Sequence, residues 1–452
     1  MRDPTRPALA RWLPILFALA VALLAQSPSS FETHLAAGQA AIQQSRYAEA
    51  GDQLRAAVAE AGKPDPNRSP LRVLDAYSAL CDLDLLMSRY DEAIALASQA
   101  VDAVDAGSAD LTPHLARLAG AYRAAGKTPL AVPVLQRMLK IDQKLGPDDP
   151  KVSVDYDKLG SAYMELEQLY DAWSAYRHAL DTRISRLGPD HFEVATSWVN
   201  LGVLEEHNAK ADAAQKDFET ALAISEKNLG TESYGLTGIL DRLGRLLSGQ
   251  KRYAEAEVSF QRSLAIREKI LGAKHSDVAP ALDNLGLVYF YDSKYAEAEP
   301  LFQRALQIWT ATQGPMHPLV AQSLDNLGSL YAAQKRYDVA EPFFKKALAI
   351  RETHDIESLS NLALLYEAQK DWKRADDYFQ RAILVGEKGL GGDHPEITDT
   401  LDEYAVMLHA AGRLMDAKKM EAHANEVKDK LGPQKAPVAQ TANVTAVTPV
   451  QK

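Results

Sequence analysis

The chain has 452 residues, of which 46% are apolar and 25% are charged, and these are ordinary values for a folded globular protein. It carries 50 Lys and Arg residues against 61 Asp and Glu residues, which gives a formal net charge of −11. This acidic balance argues against a nucleic-acid-binding protein, which needs a basic surface. A single cysteine, Cys81, excludes an intramolecular disulfide framework and a cysteine-rich zinc site.

The first 25 residues have the pattern of a secretory signal peptide. Arg2, Arg6 and Arg11 precede an uninterrupted apolar run, Trp12–Ala25. That run is shorter than the about 20 residues that a membrane-spanning helix needs. The alternative interpretations are an uncleaved anchor and a cytoplasmic N-terminus with an apolar run that arose by chance. We expect cleavage near Gln26, a periplasmic or secreted mature protein, and no integral membrane span after cleavage.

A repeat dominates the rest of the chain. From Leu159 to Leu327 a Leu-Gly pair recurs every 42 residues, and such self-similarity indicates a solenoid of stacked repeats. Taking the leucine as position 0, an alanine lies at +13 in all ten units that match the template, and an aromatic residue lies at +17 in the regular ones. The regular pairs are Leu159-Gly160, Leu201-Gly202, Leu243-Gly244, Leu285-Gly286 and Leu327-Gly328.

Each unit is predicted to be two helices. Apolar residues at −3, 0 and +4, such as Leu282, Leu285 and Tyr289, share one face of the first helix. The small residue at +1 lets the second helix approach closely, and the alanine at +13 faces the first helix. Cys81 occupies a +1 position, so we expect a small buried residue rather than a nucleophile.

The pattern resembles the tetratricopeptide repeat. The usual period of that repeat, about 34 residues, is shorter than the interval between successive Leu-Gly pairs in this chain. The fuller text HSDVAPALDNLGLVYFYDSKYAEAEPLFQRALQIW is similar to the long repeats of kinesin light chains. The resemblance covers residues 31–430 and implies an all-α fold, a right-handed α-solenoid of about ten helix-turn-helix units. The predicted domains are therefore a signal peptide over 1–25, a solenoid over 26–430 and a disordered tail over 431–452. Kinesin light chains are cytoplasmic and carry an N-terminal coiled coil, so the resemblance does not imply motor attachment.

No motif for catalysis is present: the chain lacks H-E-x-x-H, G-x-S-x-G, a phosphate-binding glycine loop and C-x-x-C. Four histidines, His191, His275, His317 and His394, lie at position −10 of their repeats. Equivalent residues of stacked helices are about 10 Å apart, too far to share one zinc ion whose ligands lie at about 2 Å. We expect these histidines to begin the first helices, and we expect no catalytic residue, no cofactor and no metal.

Polar residues on the first helices, opposite the core face, are candidates for binding. Position −1 carries asparagine in four units: Asn200, Asn284, Asn326 and Asn361. A carboxamide offers both a donor and an acceptor, which matches the N–H and C=O groups of an extended peptide. In kinesin light chains, asparagines at the matching position hold the peptide backbone, and the resemblance implies that role here. The alternative is that these residues solvate an open helix face or bond between neighbouring units.

Charged residues flank the asparagines. Position −2 carries Asp241, Asp283 and Asp325, and Arg242 interrupts this acidic series. A groove lined by one sign of charge concentrates the opposite sign, so we expect a basic or neutral peptide rather than an acidic one.

These patterns favour an exported, non-enzymatic scaffold that binds partner peptides or domains in the concave groove of the repeats. Two alternatives stay open. One is a structural spacer or accessory subunit of an envelope assembly, and the other is an enzyme subunit whose catalytic groups form no recognisable motif.

Overall fold

A computed structural model describes residues 30–63, 70–104, 108–146, 148–351, 355–389, 392 and 394–431. Within them the chain is all α-helical, with three short 3₁₀ turns. It divides into two compact units, unit 1 over 1–188 and unit 2 over 189–452. The predicted signal peptide and all of the predicted tail after Leu431 lie outside the described residues. Leu431 itself still belongs to the last helix.

The described part of unit 1 contains four helical pairs, and each pair is one predicted repeat. The helices are α1 Ser30–Gln43, α2 Tyr47–Ala61, α3 Pro70–Leu86, α4 Tyr90–Asp102, α5 Thr112–Ala124, α6 Thr128–Asp142, α7 Pro150–Glu165 and α8 Leu169–Leu187.

Unit 2 contains six further pairs. The helices are α9 Phe192–His207, α10 Ala211–Leu229, α11 Thr237–Gly249, α12 Tyr253–Leu271, α13 Val278–Tyr291, α14 Tyr295–Gln313, α15 Pro318–Ala333, α16 Tyr337–Ile350, α17 Ile356–Ala368, α18 Trp372–Gly389, α19 Pro395–Ala410 and α20 Leu414–Leu431. The prediction of an all-α chain built from ten helix pairs is confirmed.

The turn inside each pair has the same backbone geometry in all ten repeats. The residue at +8 has a positive φ, for example 60° at Ser293 and 69° at Gly126. This left-handed conformation reverses the chain between the two helices. Eight of the ten repeats use a residue other than glycine there, so the turn is fixed by packing of the pair rather than by glycine alone.

The core of the five regular pairs is the contact between the glycine at +1 and the aromatic ring at +17. The alanine at +13 is fully buried in all ten repeats. A Cβ atom on Gly286 would lie 2.6 Å from the Phe302 ring, so only glycine allows this approach of α13 and α14. Cys81 is also fully buried, and its Sγ lies 3.3 Å from the backbone oxygen of Ala93. Burial raises the pKa of Cys81 to about 12, which confirms a structural residue.

The predicted histidine positions begin first helices. In His191, His317 and His394 the side chain caps the helix, because Nδ1 accepts a hydrogen bond from the backbone N–H two residues later. His275 makes the same contact with the N–H of Asp277 at 3.2 Å. The expected role of these four residues is confirmed.

Candidate functional site

The predicted binding residues lie on the first helices, and all of them belong to unit 2. We define the ladder face as positions −5, −2, −1, +2 and +5 of α9, α11, α13, α15, α17 and α19. Position −1 gives one residue per repeat in chain order: Asn200, Arg242, Asn284, Asn326, Asn361 and Glu403.

The aspartates at −2 share one structural contact. Each bonds to a side chain at the second helix of its own repeat, 26 positions later in the chain. Each aspartate carboxylate accepts a hydrogen bond from a cationic side chain or, in one repeat, from an indole N–H. The contacts are Asp157–Arg183 (2.6 Å), Asp241–Arg267 (2.7 Å), Asp283–Trp309 (3.3 Å), Asp325–Arg351 (2.6 Å) and Asp402–Lys428 (2.8 Å).

These contacts withdraw Asp241, Asp283 and Asp325 from the surface, whereas the Asp402 side chain stays 46% exposed. Only 2% of Asp325 is exposed, and burial raises its pKa to about 8, although the charge of Arg351 opposes the rise. Asp283 is half-buried, and burial raises its pKa to about 7 against hydrogen bonds from Trp309 and Asn326. Asp241 is buried in its ion pair with Arg267. The expectation that these three aspartates give an open groove its negative charge is therefore wrong, because their carboxylates are bound within the repeats.

The asparagines differ in exposure. Asn326 is 2% exposed and Asn361 is 5% exposed, so the expectation of an open surface is wrong for both. The Nδ2 of Asn326 donates to Oδ1 of Asp283, in the preceding repeat, at 3.4 Å. Asn200 and Asn284 are half-buried. Asn284 forms no side-chain hydrogen bond with any residue that the structure describes.

Two buried carboxamide atoms lack partners. Oδ1 of Asn326 has no donor and Nδ2 of Asn361 has no acceptor within the described part of the chain. Such atoms are costly, because each gives up hydrogen bonds to water without a replacement. One atom is an acceptor and the other is a donor. A bound peptide backbone offers the complementary groups, an N–H and a C=O. Binding by the asparagines stays a prediction.

Arg242 lies beside Arg245, one helical turn further along α11. Both are half-buried, and neither forms an ion pair with any described carboxylate. Burial, and then the charge of Arg245, lower the pKa of Arg242. Burial raises the pKa of Glu206 on α9, while both arginines lower it. The ladder face therefore keeps unpaired positive charge at α11.

Negative charge gathers at the other end of unit 2, on α17 and α19. Burial alone raises the pKa of Glu367 to about 7. Burial, and then the charges of Asp399, Glu367 and Asp402, raise the pKa of Glu403 to about 8. Neither Glu367 nor Glu403 was singled out as a candidate residue from the sequence. The available signal was an acidic residue on the same face of two consecutive first helices.

Metal binding and membrane insertion find no support among the described residues. No group of three or more His, Cys, Asp or Glu side chains among them is arranged to hold a metal ion. Over the same part of the chain, no helix combines the length and apolar character needed to cross a bilayer.

Three solved structures illustrate what this chain is similar to. BtubC (BKLC) from P. vanneervenii is 22% identical, with 55% of this chain and 94% of that chain covered and a TM-score of 0.43. A Podosopora anserina protein with nearly identical TPR-like repeats is also 22% identical, with 46% and 98% covered and a TM-score of 0.41. Aspartyl phosphate phosphatase F from Bacillus subtilis is 16% identical, with 81% and 96% covered and a TM-score of 0.48. No curated protein matches the chain.

Family models described as tetratricopeptide repeat match most of the chain. One matches residues 153–227, 193–269, 236–299, 277–353 and 355–430. A second matches residues 18–66. These matches follow the same periodicity as the helix pairs, and the chain belongs to the tetratricopeptide repeat family.

Proposed function

We propose that this protein is an exported, non-enzymatic scaffold that holds extended segments of partner proteins against the ladder face. The family makes protein partners the general expectation. The observation that carries the specific proposal is the state of the asparagines. Asn284 has a free, half-buried carboxamide, and the next two ladder asparagines bury an unsatisfied acceptor and an unsatisfied donor. An extended peptide supplies the missing N–H and C=O groups.

The test is capture by cross-linking in the native cells, followed by affinity measurement with the captured partner. Asn284→Ala removes a ladder carboxamide that forms no side-chain hydrogen bond with any described residue. The variant loses one or two hydrogen bonds to the partner, each worth about 0.5–1.5 kcal/mol. Its affinity for the partner should therefore fall by about two- to tenfold or more. Melting should change by less than about 0.5 kcal/mol, as for other surface changes.

Asn425→Ala is the matched control, because Asn425 is exposed on α20, away from the ladder face, and contacts no described side chain. It should leave the affinity unchanged. Asn326→Ala removes the hydrogen bond to Asp283 and should lower stability as well as affinity. Asn326→Ala could lower the melting temperature while neither ladder variant changes partner affinity. The asparagines would then only join neighbouring repeats, and the result would favour a structural spacer.

Export is the second part of the proposal, supported by Arg2, Arg6 and Arg11 ahead of the apolar run 12–25. The mature protein is expected in an extracytoplasmic fraction with its N-terminus near Gln26. Intact-mass measurement of the exported protein tests this, and a mass that includes Met1 would contradict cleavage.

A further inference from the structure

Two half-buried glutamates, Glu367 and Glu403, lie on the first helices of consecutive repeats, and the charge of Glu367 raises the pKa of Glu403 after burial does. The first helices α17 and α19 touch where Oγ of Ser360 lies 3.4 Å from Oγ1 of Thr400. From that contact Glu403 lies one turn along α19, and Glu367 lies two turns along α17. Both side chains are half-buried, and neither forms a hydrogen bond or an ion pair with any residue in the described part of the chain. The structure therefore leaves two desolvated carboxylates without a cation.

The other charges facing Glu403 do not neutralise it. Asp399 and Asp402 lie on its own helix, and both raise its pKa, as Glu367 does from α17. The nearby cation on α20 is Lys428, whose Nζ already lies 2.8 Å from the Asp402 carboxylate.

The next group along this face, Glu357, is also short of positive charge. Its carboxylate lies 3.7 Å from Arg351, whose guanidinium is bound at 2.6 Å to Asp325 and at 3.0 Å to Asp355. Burial, and then the charges of Asp355 and of Glu396 on α19, raise the pKa of Glu357, while the charge of Arg351 lowers it. Arg351 and Lys428 are thus both bound to other carboxylates.

An independent feature of the same face is the buried donor of Asn361. This residue lies one helical turn after Glu357 on α17, and it occupies the repeat position that Glu403 occupies on α19. It is 5% exposed, and its Nδ2 has no acceptor among the described residues. A metal ion would leave this donor unsatisfied. A peptide residue with a cationic side chain supplies a carbonyl for Asn361 and positive charge for the two glutamates.

We propose that Glu367 and Glu403 form a binding site for the lysine or arginine side chain of a bound protein segment, with Asn361 donating to the backbone of that segment. The inference rests on the proposed function and specifies a basic residue in the partner. It also moves the expected preference for basic partners from Asp241, Asp283 and Asp325 to this carboxylate pair.

The pKa values give the site a signature that ordinary surface carboxylates lack. Burial raises the pKa of Glu367 to about 7 and that of Glu403 to about 8, so both ionise between pH 6 and pH 9. A lysine side chain stays protonated through this range, since its pKa is about 10.4. Affinity for a cationic peptide should therefore rise across it, because binding favours the ionised carboxylates.

The experiment uses the full chain and a fluorescein-labelled Gly-Ser peptide that carries three lysines. The same peptide with all lysines acetylated measures binding without charge. Fluorescence anisotropy is recorded at low salt for the native protein, for Glu367→Gln/Glu403→Gln, and for Glu297→Gln/Asp338→Asn. The last pair removes the same charge from two exposed, unpaired residues on α14 and α16.

The lysine peptide should bind the native protein with an affinity that rises from pH 6 to pH 9, and more tightly than its acetylated form. Glu367→Gln/Glu403→Gln should lower the affinity for the lysine peptide at least about fivefold at pH 9 and flatten its pH dependence. The control double variant should keep an affinity within about twofold of the native value. Equal losses in both double variants, no preference for lysine over acetyl-lysine, or a flat native profile would each overturn the site. Melting curves of both double variants show whether folding is intact.

The outcome is distinguishable from that of the proposed function. If the lysine peptide depends on Glu367 and Glu403 while Asn284→Ala leaves partner affinity unchanged, the cationic site stands and the asparagine ladder does not. The reverse result would leave a peptide-binding ladder without a basic anchor.

Discussion

Asp142 and Asp155 form a buried carboxyl pair in unit 1. Asp142 ends α6, Asp155 lies in α7, and each is 2% exposed. Burial, and then the charge of Asp142 and a hydrogen bond between the two groups, raise the pKa of Asp155 to about 7, while Lys158 and Lys151 lower it. The pair therefore keeps a proton where an isolated aspartate has lost it.

This proton makes unit 1 sensitive to pH. In the unfolded chain an aspartate has a pKa of about 3.9. From there up to the folded value of about 7 the folded state holds a proton that the unfolded state has released, so stability falls as pH rises through this window. We expect Asp155→Asn to remove that loss and to raise stability at pH 8 by about 1–3 kcal/mol, because a neutral amide can donate to Asp142.

Thermal melts at pH 4 and pH 8 check this expectation. The control is Asp148→Asn, an exposed aspartate close in sequence, which should change stability by less than about 0.5 kcal/mol. Equal changes of stability in Asp155→Asn and Asp148→Asn would show that Asp142 and Asp155 do not share a proton. The same would follow if the pair made the native protein more stable at pH 8 than at pH 4.

At the scale of the helix pair, glycine at +1 decides how closely the two helices pack. In Gly286→Ala the new Cβ would lie 2.6 Å from the Phe302 ring, which must move or force α13 and α14 apart. Overpacking of this kind costs about 1–3 kcal/mol. We expect chemical denaturation to show that loss in Gly286→Ala.

The same substitution has the opposite effect where the helix is open. A Cβ on Gly120 in α5 would meet nothing within 4 Å. Gly120→Ala should therefore stabilise the protein by about 0.5–1 kcal/mol, because alanine loses less conformational freedom than glycine in a helix. A loss of stability in Gly120→Ala, or none in Gly286→Ala, would mean that the register of the pairs differs from the one described.

The pairing of helices could be predicted from sequence because its determinants are local. The alanine at +13, such as Ala298, and the helix-capping histidines, such as His317, recur at fixed offsets, and each has one structural role. The period therefore predicted ten pairs, their core and the start of several first helices.

The state of the ladder face could not be predicted in the same way. Helical periodicity correctly placed Asp325 off the apolar face of the first helix, but it does not say which long side chain of the second helix reaches over it. Arg351 lies 26 positions later and covers Asp325, and Arg267 does the same for Asp241. The spacing of 26 residues is present in the sequence. Only the geometry of the folded helix pair shows that it brings the two side chains into contact. Glu367 was missed because burial, not residue type, sets it apart.

At the scale of the whole molecule, stability within each unit is built from neighbouring contacts. In unit 2 each helix packs mainly on the helices before and after it in the chain, and the first helices of consecutive repeats also touch. Among the described residues of the unit, the substantial helix contacts join only neighbouring repeats. The stability of the unit is approximately the sum of repeat and neighbour terms.

This locality predicts how a core defect spreads. Gly286→Ala weakens the contact between α13 and α14, and the neighbours α12 and α15 pack directly on that pair. Native-state hydrogen exchange should therefore speed up by about tenfold or more in α12 to α15 for a local loss of about 1.4 kcal/mol. Exchange in α19 and α20, further along unit 2, should change by less than about twofold in the same sample. A uniform acceleration from α9 to α20 would show that unit 2 opens as one cooperative block, and the description of its stability as a sum of neighbouring repeats would then fail.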